Sequence, residues 1–252
     1  MHTTLRPRSP RPAAALAAGL LSLGLAGAAG ADTLLVLKAH HDAAVIAGRQ
    51  QEARDDTFEI WIGEDRISRS DEQGKFVMRP GEVVIVNHDA RTYSVFEMPI
   101  DLAKLLPPGM EKEMEKWKLE AEVTPTDERR EIGEWTARRY DVEVTNAMGV
   151  AVRTEMWTTT ELDIDLEIYH GLARQMLALQ PGTAELLTEM AKVEGFPVLQ
   201  ETTVDLDGST VTTREELVSV AVKEPPADAY AVPEGYERDE TPFDAPPAPP
   251  AR

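Results

Sequence analysis

Between Glu134 and Thr160 apolar and polar side chains change places at almost every step. Tyr140, Val142 and Val144 alternate with Arg139, Asp141 and Glu143. Beyond a break, Val150, Val152 and Met156 alternate with Ala151, Arg153 and Glu155. A period of two with one apolar face predicts two half-buried strands. Opposed residues of an antiparallel pair share a face, so the loop between these strands must hold an odd number of residues. Ala147-Met148-Gly149 fits, because the last position of a three-residue loop needs φ > 0 and glycine adopts it without strain. The register then sets Val144 against Val152, Tyr140 against Met156 and Glu143 against Arg153, with Trp157 against Arg139 on the other face. Asp141 against Glu155 opposes this register by a few tenths of a kcal/mol. Trp135 and Ala137 break the parity and predict a bulge near Arg138.

The same pattern predicts further strands at Asp32–Lys38, continuing from Asp42 to Gln51 after a break at His40-His41, and at Asp56–Arg69. In the latter, Phe58, Ile60 and Ile62 alternate with Trp61, again placing a tryptophan opposite the aliphatic face. Lys75–Met78, Glu82–Asn87 and Thr92–Met98 are short strands punctuated by Pro80-Gly81 and Asn87-His88-Asp89. Met110, Met114 and Trp117 suit a short helix, whereas Trp117, Leu119, Ala121 and Val123 suit a strand, with a switch near Lys116. Leu166, Tyr169, Leu172, Ala173, Met176 and Leu177 form a helical stripe beginning at Asp165 and ended by Pro181-Gly182. A second helix follows, with Thr183 as N-cap, Leu186, Leu187, Met190 and Val193 as its stripe and Gly195 just past its end. Asp207-Gly208 turns a last hairpin, Phe196–Leu206 with Ser209–Val222, pairing Val204 with Val211 and Glu201 with Arg214. Ala229–Val232 adds an edge strand.

About ten mostly sequential strands and two late helices predict an α+β fold. The sheet is expected to be mainly antiparallel and curled, an open half-barrel, with both helices packed over its concave face. The domain spans 32–236. Residues 237–252 are Pro-rich and acidic without periodicity, and read as a disordered tail.

Residues 1–31 read differently. Arg6, Arg8 and Arg11 precede an apolar run from Ala13 to Ala28 and then Ala29-Gly30-Ala31. This is the layout of a cleaved export signal, and the run is shorter than the ~20 residues that span a bilayer. The expectation is a periplasmic or secreted protein, not membrane-spanning after cleavage near Ala31. Without cysteine it has no disulfide, thiolate metal site or lipid-bearing N-terminal cysteine. The whole chain carries a net charge of −19; the leader holds three Arg and no acid, leaving −22 on the remainder. Such a surface repels nucleic acid and anionic membrane faces, and no nucleic-acid partner is expected.

Candidate chemistry is sparse. His40-His41-Asp42 and His88-Asp89 lack metal-ligand spacing, and Asp205 to Ser209 is explained by a hairpin turn. No phosphate loop, nucleophile elbow or dinucleotide fingerprint is present. Neither a catalytic constellation nor a cofactor or metal is expected.

Several stretches together resemble an uncharacterised branch of the LolA-like exported domains, the outer-membrane lipoprotein-sorting-like superfamily. They are Trp61-Ile62-Gly63-Glu64-Asp65-Arg66, Asn87-His88-Asp89 with Thr92-Tyr93, Thr124-Pro125-Thr126 before Ile132-Gly133-x-Trp135, Gly195-Phe196-Pro197, and Tyr230 to Tyr236. The resemblance implies a signal peptide, a curled sheet under helices, and binding of acyl chains or carriage of lipid-modified proteins. Two readings follow. In one, the protein binds a hydrophobic ligand, a lipid or an acylated protein, at Trp61, Trp157, Trp135, Tyr169 and Met176, with methionines such as Met156 adding adaptable surface. In the other, the tryptophans fill the protein's own core, and the acidic exterior meets a partner.

Overall fold

The computed structural model describes residues 30–46, 49–101, 118–147, 149–180, 182–206 and 209–240. The leader up to residue 29, the Met110–Trp117 stretch, Met148, the Asp207-Gly208 turn and the tail beyond 240 lie outside them. Asp32–His41 forms β1. A small hairpin, β2 (Ala44–Ile46) and β3 (Arg49–Gln51), stands apart from the main sheet. The segment expected as one strand from Asp56 is two, β4 (Arg54–Ile62) and β5 (Ile67–Ser70), joined at Gly63, whose amide donates to the Arg66 carbonyl at 2.9 Å. A meander continues through β6 (Gly74–Arg79), β7 (Glu82–Asn87) and β8 (Thr92–Glu97). A second meander comprises β9 (Leu119–Ile132), β10 (Trp135–Asn146), β11 (Ala151–Thr159), β12 (Phe196–Leu206) and β13 (Ser209–Lys223). Two helices interrupt it between β11 and β12: α1 (Leu166–Ala178) and α2 (Ala184–Met190).

The organising hairpin has the expected register: Val144 faces Val152, Tyr140 faces Met156, Glu143 faces Arg153 and Arg139 faces Trp157. Gly149 has φ +79° and donates its amide to Asn146 at 2.9 Å. The irregularity falls between Arg138 and Tyr140, in the pairing with β9. The last hairpin likewise pairs Val204 with Val211 and Glu201 with Arg214.

The curled half-barrel is not what forms. The main sheet has twelve strands in the order β14-β8-β7-β6-β5-β4-β1-β13-β12-β11-β10-β9, where β14 is Glu237–Arg238. It is open, with no pairing between its two ends, and mixed: β14 runs parallel to β8, and every other pair is antiparallel. The reason lies in β1. It inserts between the two meanders, pairing with β4 on one side and β13 on the other, so the strands extend the sheet sideways. Each face then acquires its own cover, and no hollow side is needed to hide apolar residues that occur on both.

Alternation along β1 shows this. Leu35 and Leu37 join Ile60, Ile62, Ile67 and the α1 residue Leu172 in the main core. Leu34 instead packs with Trp61 and Ala229. Farther along the sheet Val77, Val84 and Val86 lie beneath Tyr230, Val232 and Tyr236. Ala229–Val232 is therefore not an edge strand. It forms turns that strap the face opposite the helices, fastened by Tyr230, whose hydroxyl donates to Asp32 Oδ2 at 2.7 Å, and by Lys75, whose buried ammonium donates to the Asp228 carbonyl at 2.5 Å. Burial pulls the pKa of Lys75 below its ordinary value, with Asp228 and Glu59 opposing.

Candidate functional site

The chemistry-bearing part of the helix face is built around α1. Asp165 caps it, its carboxylate accepting the amides of Glu167 at 2.9 Å and Ile168 at 3.1 Å. Leu172 is sunk into the main core. The residues beside that row, Tyr169, Ala173 and Leu177 at i, i+4 and i+8, also border a void. This cavity of about 350 Å³ lies between α1, α2 and the strands β11 and β12. Met156 and Pro197 contribute from the sheet, and Leu187, Met190 and Val193 from α2 and the turn after it.

α2 is held over the cavity by polar contacts outside it. Thr183 precedes the helix, but its hydroxyl does not cap it. It donates back to the carbonyls of Leu177 at 2.8 Å and Gln180 at 3.0 Å, closing the end of α1. The Gly182 carbonyl accepts the Leu119 amide at 3.2 Å, and Glu189 accepts the Val123 amide at 2.8 Å. Gly195 is not the residue that ends α2. It lies five residues past Met190 with φ +85°, and a Cβ there would sit 2.3 Å from the Thr159 carbonyl oxygen. Only glycine lets β12 start this close to β11.

Of the five residues named from sequence as the ligand site, Tyr169 alone lines this cavity, and Met156, expected to add adaptable surface, lines it as well. The Tyr169 ring lies 4.6 Å from that of Phe196, and desolvation pushes its phenol up to about 12. Met176 borders a separate depression with Arg69 and Phe76. Trp135 and Trp157 are buried in the main core. The Trp157 indole nitrogen donates to Glu155 at 2.7 Å, and Arg130 stacks 4.1 Å above its ring. Trp61 lies in a different cluster, on the face away from the helices beneath the C-terminal strap, 3 % exposed. Trp61 and Trp157 therefore do not share a site. The polar residues at the cavity, His170, Arg174 and Gln200, were not anticipated. Of these, His170 and Arg174 sit one turn apart on α1, the one signal the sequence carried for them.

A larger hollow of about 570 Å³ lies over β9–β13. It is a solvated ion-pair surface in which Arg139 meets Asp141 at 2.8 Å, Glu128 at 3.2 Å and Glu155 at 3.4 Å. The histidines are dispersed. His40 bonds Asp55 at 2.7 Å, which holds its pKa above the ordinary value; His41 bonds Thr213; and His88 bonds the Tyr236 hydroxyl. Among the described residues no group of three or more His, Asp or Glu is arranged to hold a metal, and no helix is long and apolar enough to cross a membrane.

A comparison with curated proteins returns no match. Among solved structures, PNGF-II in a C2 space group superposes with a TM-score of 0.39 at 12 % identity, covering 82 % of this chain and 30 % of that one. The chain thus spans under a third of PNGF-II. An uncharacterized conserved protein from Thermus thermophilus gives 0.37 at 6 % identity, covering 81 % and 89 %. A putative outer membrane lipoprotein-sorting protein domain from Vibrio parahaemolyticus gives 0.27 at 7 % identity, covering 78 % and 86 %. Each of these likenesses is distant. Residues 75–236, more than half of the sequence, match the family described as Domain of unknown function (DUF4412), and the chain belongs to that family.

Proposed function

We propose that this is an exported, non-catalytic protein that binds a hydrophobic ligand, a lipid or the acyl chain of a modified protein, beneath α1 and α2. The observation that carries the reading is the cavity wall. Ala173, Leu177, Leu187 and Met190 turn apolar surface toward about 350 Å³ of space. Tight packing is the norm for interiors, and a volume of this size lies in the range of small-molecule sites. Each buried methylene contributes about 0.8 kcal/mol, so ten give about 8 kcal/mol, near a micromolar Kd before association costs. The leader-like residues 1–31 support export to the periplasm or beyond. No reaction is assigned to the site.

The test is native mass spectrometry of the full chain, with titration by an apolar fluorophore. Bound lipid, displaced by the probe and lost in Ala173→Phe, supports the reading; a ligand-free protein that ignores the probe overturns it.

A second reading has its own observation. Trp61 and Trp157, 3 % and 4 % exposed, are consumed by the protein's own cores. The domain would then be an interaction module whose acidic exterior meets a partner. Under this reading Ala173→Phe is silent in every binding assay.

A further inference from the structure

We infer that the ligand of the α1–α2 cavity carries an anionic headgroup on a single acyl chain, and that Arg174 receives it; this rests on the apolar-ligand reading above. The inference starts from what the wall lacks. Aspartate and glutamate make up 45 of the 252 residues, yet among the described residues the cavity lining contains neither. The larger hollow over β9–β13, on the same protein, is lined by five of them: Glu122, Asp141, Glu143, Glu155 and Glu201. Glu215, whose charge acts on Tyr169 and which accepts from Gln200, is paired with Arg69 at 2.8 Å.

Polar side chains are few here. Gln200 sits on β12, and His170 is tethered by its Nε2 to the Gly195 carbonyl at 3.2 Å. Arg174 stands one turn along α1 from His170, exposed, and enters no ion pair among the described residues. An apolar slot with one guanidinium at its edge and no acid in its wall complements a chain ending in a carboxylate or phosphate. The chain buries against Ala173, Leu177 and Leu187 while Arg174 makes charge-assisted bonds to the head. About 350 Å³ suits one chain better than two. In a molecule of net charge −19 an anionic ligand is otherwise repelled, so the acid-free wall is what admits it.

The experiment is calorimetric titration of the full chain with four twelve-carbon amphiphiles below their micelle concentrations: dodecanoate, dodecyl phosphate, dodecan-1-ol and dodecyltrimethylammonium. An anion should bind about ten- to a hundred-fold more tightly than the alcohol, the scale of one hydrogen bond to a charged group, and the ammonium most weakly. Which anion leads tells a free fatty acid from a phosphorylated lipid. Arg174→Gln should bring both anions to the level of the alcohol and leave the alcohol unchanged, whereas Arg174→Lys should keep part of the preference. Equal binding of anions and alcohol, or a preference that survives Arg174→Gln, overturns the headgroup assignment while leaving the apolar site standing. If none of the four binds, the site itself falls.

Discussion

Glu189 of α2 accepts the backbone amide of Val123 on β9 at 2.8 Å, and Lys192 holds the same carboxylate oxygen at 2.5 Å. β9 is the edge of the twelve-stranded sheet, and an uncovered edge invites pairing with other chains. This edge is covered by side chain and helix instead. The Leu119 amide is taken by Gly182, the Val123 amide by Glu189, and Pro125 has no amide to offer. The contact that blunts the edge also seats α2 over the cavity.

A pH dependence follows for that contact. The Lys192 ammonium first, and then the Val123 amide, hold the Glu189 carboxyl below its ordinary range. A carboxyl depressed in the folded state contributes stability that is present above its unfolded value and lost as pH falls through the folded one. The Val123 amide should therefore stay protected from hydrogen exchange near neutrality and open first below pH of about 4. Glu189→Gln, whose side-chain carbonyl still accepts the amide, should give weaker protection that no longer varies with pH over that range. Unchanged acid sensitivity in this variant would assign the opening to another group.

How much of this was legible beforehand depended on parity. In the hairpin of Tyr140 and Met156 every residue pair followed from two alternating runs and one glycine, because a one-residue slip would move all the apolar side chains to the wrong face. Parity also set Trp61 opposite Ile60 and Ile62. It could not say what would cover that face, and the cover came from Ala229 and Tyr230, far along the chain. The central place of β1 was equally hidden, since a strand buried between two meanders reads like any other apolar run. The cavity's apolar wall left no mark of its own. Ala173 and Leu177 carry the same helical period as Leu172, and periodicity does not distinguish a side chain that meets a neighbour from one that meets space.

Trp61 and Trp157 offer a direct check that they belong to separate cores. They sit on β4 and β11, with β1, β13 and β12 between, so about 19 Å of sheet separates them at ~4.8 Å per strand. Each Trp→Phe change leaves a partly filled hole and should cost about 1–2 kcal/mol. The double variant should lose the sum to within about 0.5 kcal/mol in chemical denaturation. A coupling above about 1 kcal/mol would place them in one packed unit.

Gly81 and Gly195 separate backbone strain from steric clash. Their φ values are +83° and +85°, but a Cβ at Gly81 meets nothing within 4 Å, whereas one at Gly195 meets the Thr159 carbonyl. Gly81→Ala should cost about 1–2 kcal/mol, the conformational term alone. Gly195→Ala must also push β12 from β11 and should cost more than about 3 kcal/mol, with loss of the bond from the Thr158 hydroxyl to the Glu194 carbonyl at 2.6 Å. Equal melting temperatures for the two variants would remove the close approach as the reason for this glycine.

Two phenols set the behaviour in alkali. Desolvation pushes Tyr169 up to about 12, and it also raises Tyr230 well above its ordinary value, helped by the Asp32 carboxylate at 2.7 Å. In the unfolded chain both ionise near pH 10. Between pH 10 and 12 the folded protein therefore holds more protons than the unfolded one, and stability falls as pH rises. Ultraviolet titration should show tyrosines ionising late, with the alkaline fall in stability reduced in Tyr169→Phe and in Tyr230→Phe. The two variants should differ at neutral pH. Tyr230→Phe removes a bond to the buried Asp32 and loosens the strap over Trp61, costing about 1–3 kcal/mol. Tyr169→Phe removes only a hydroxyl beside the cavity and should stay within about 0.5 kcal/mol of wild type. If Tyr230→Phe were equally silent at pH 7, the strap would owe its place to Lys75 and the packing of Ala229 rather than to Asp32.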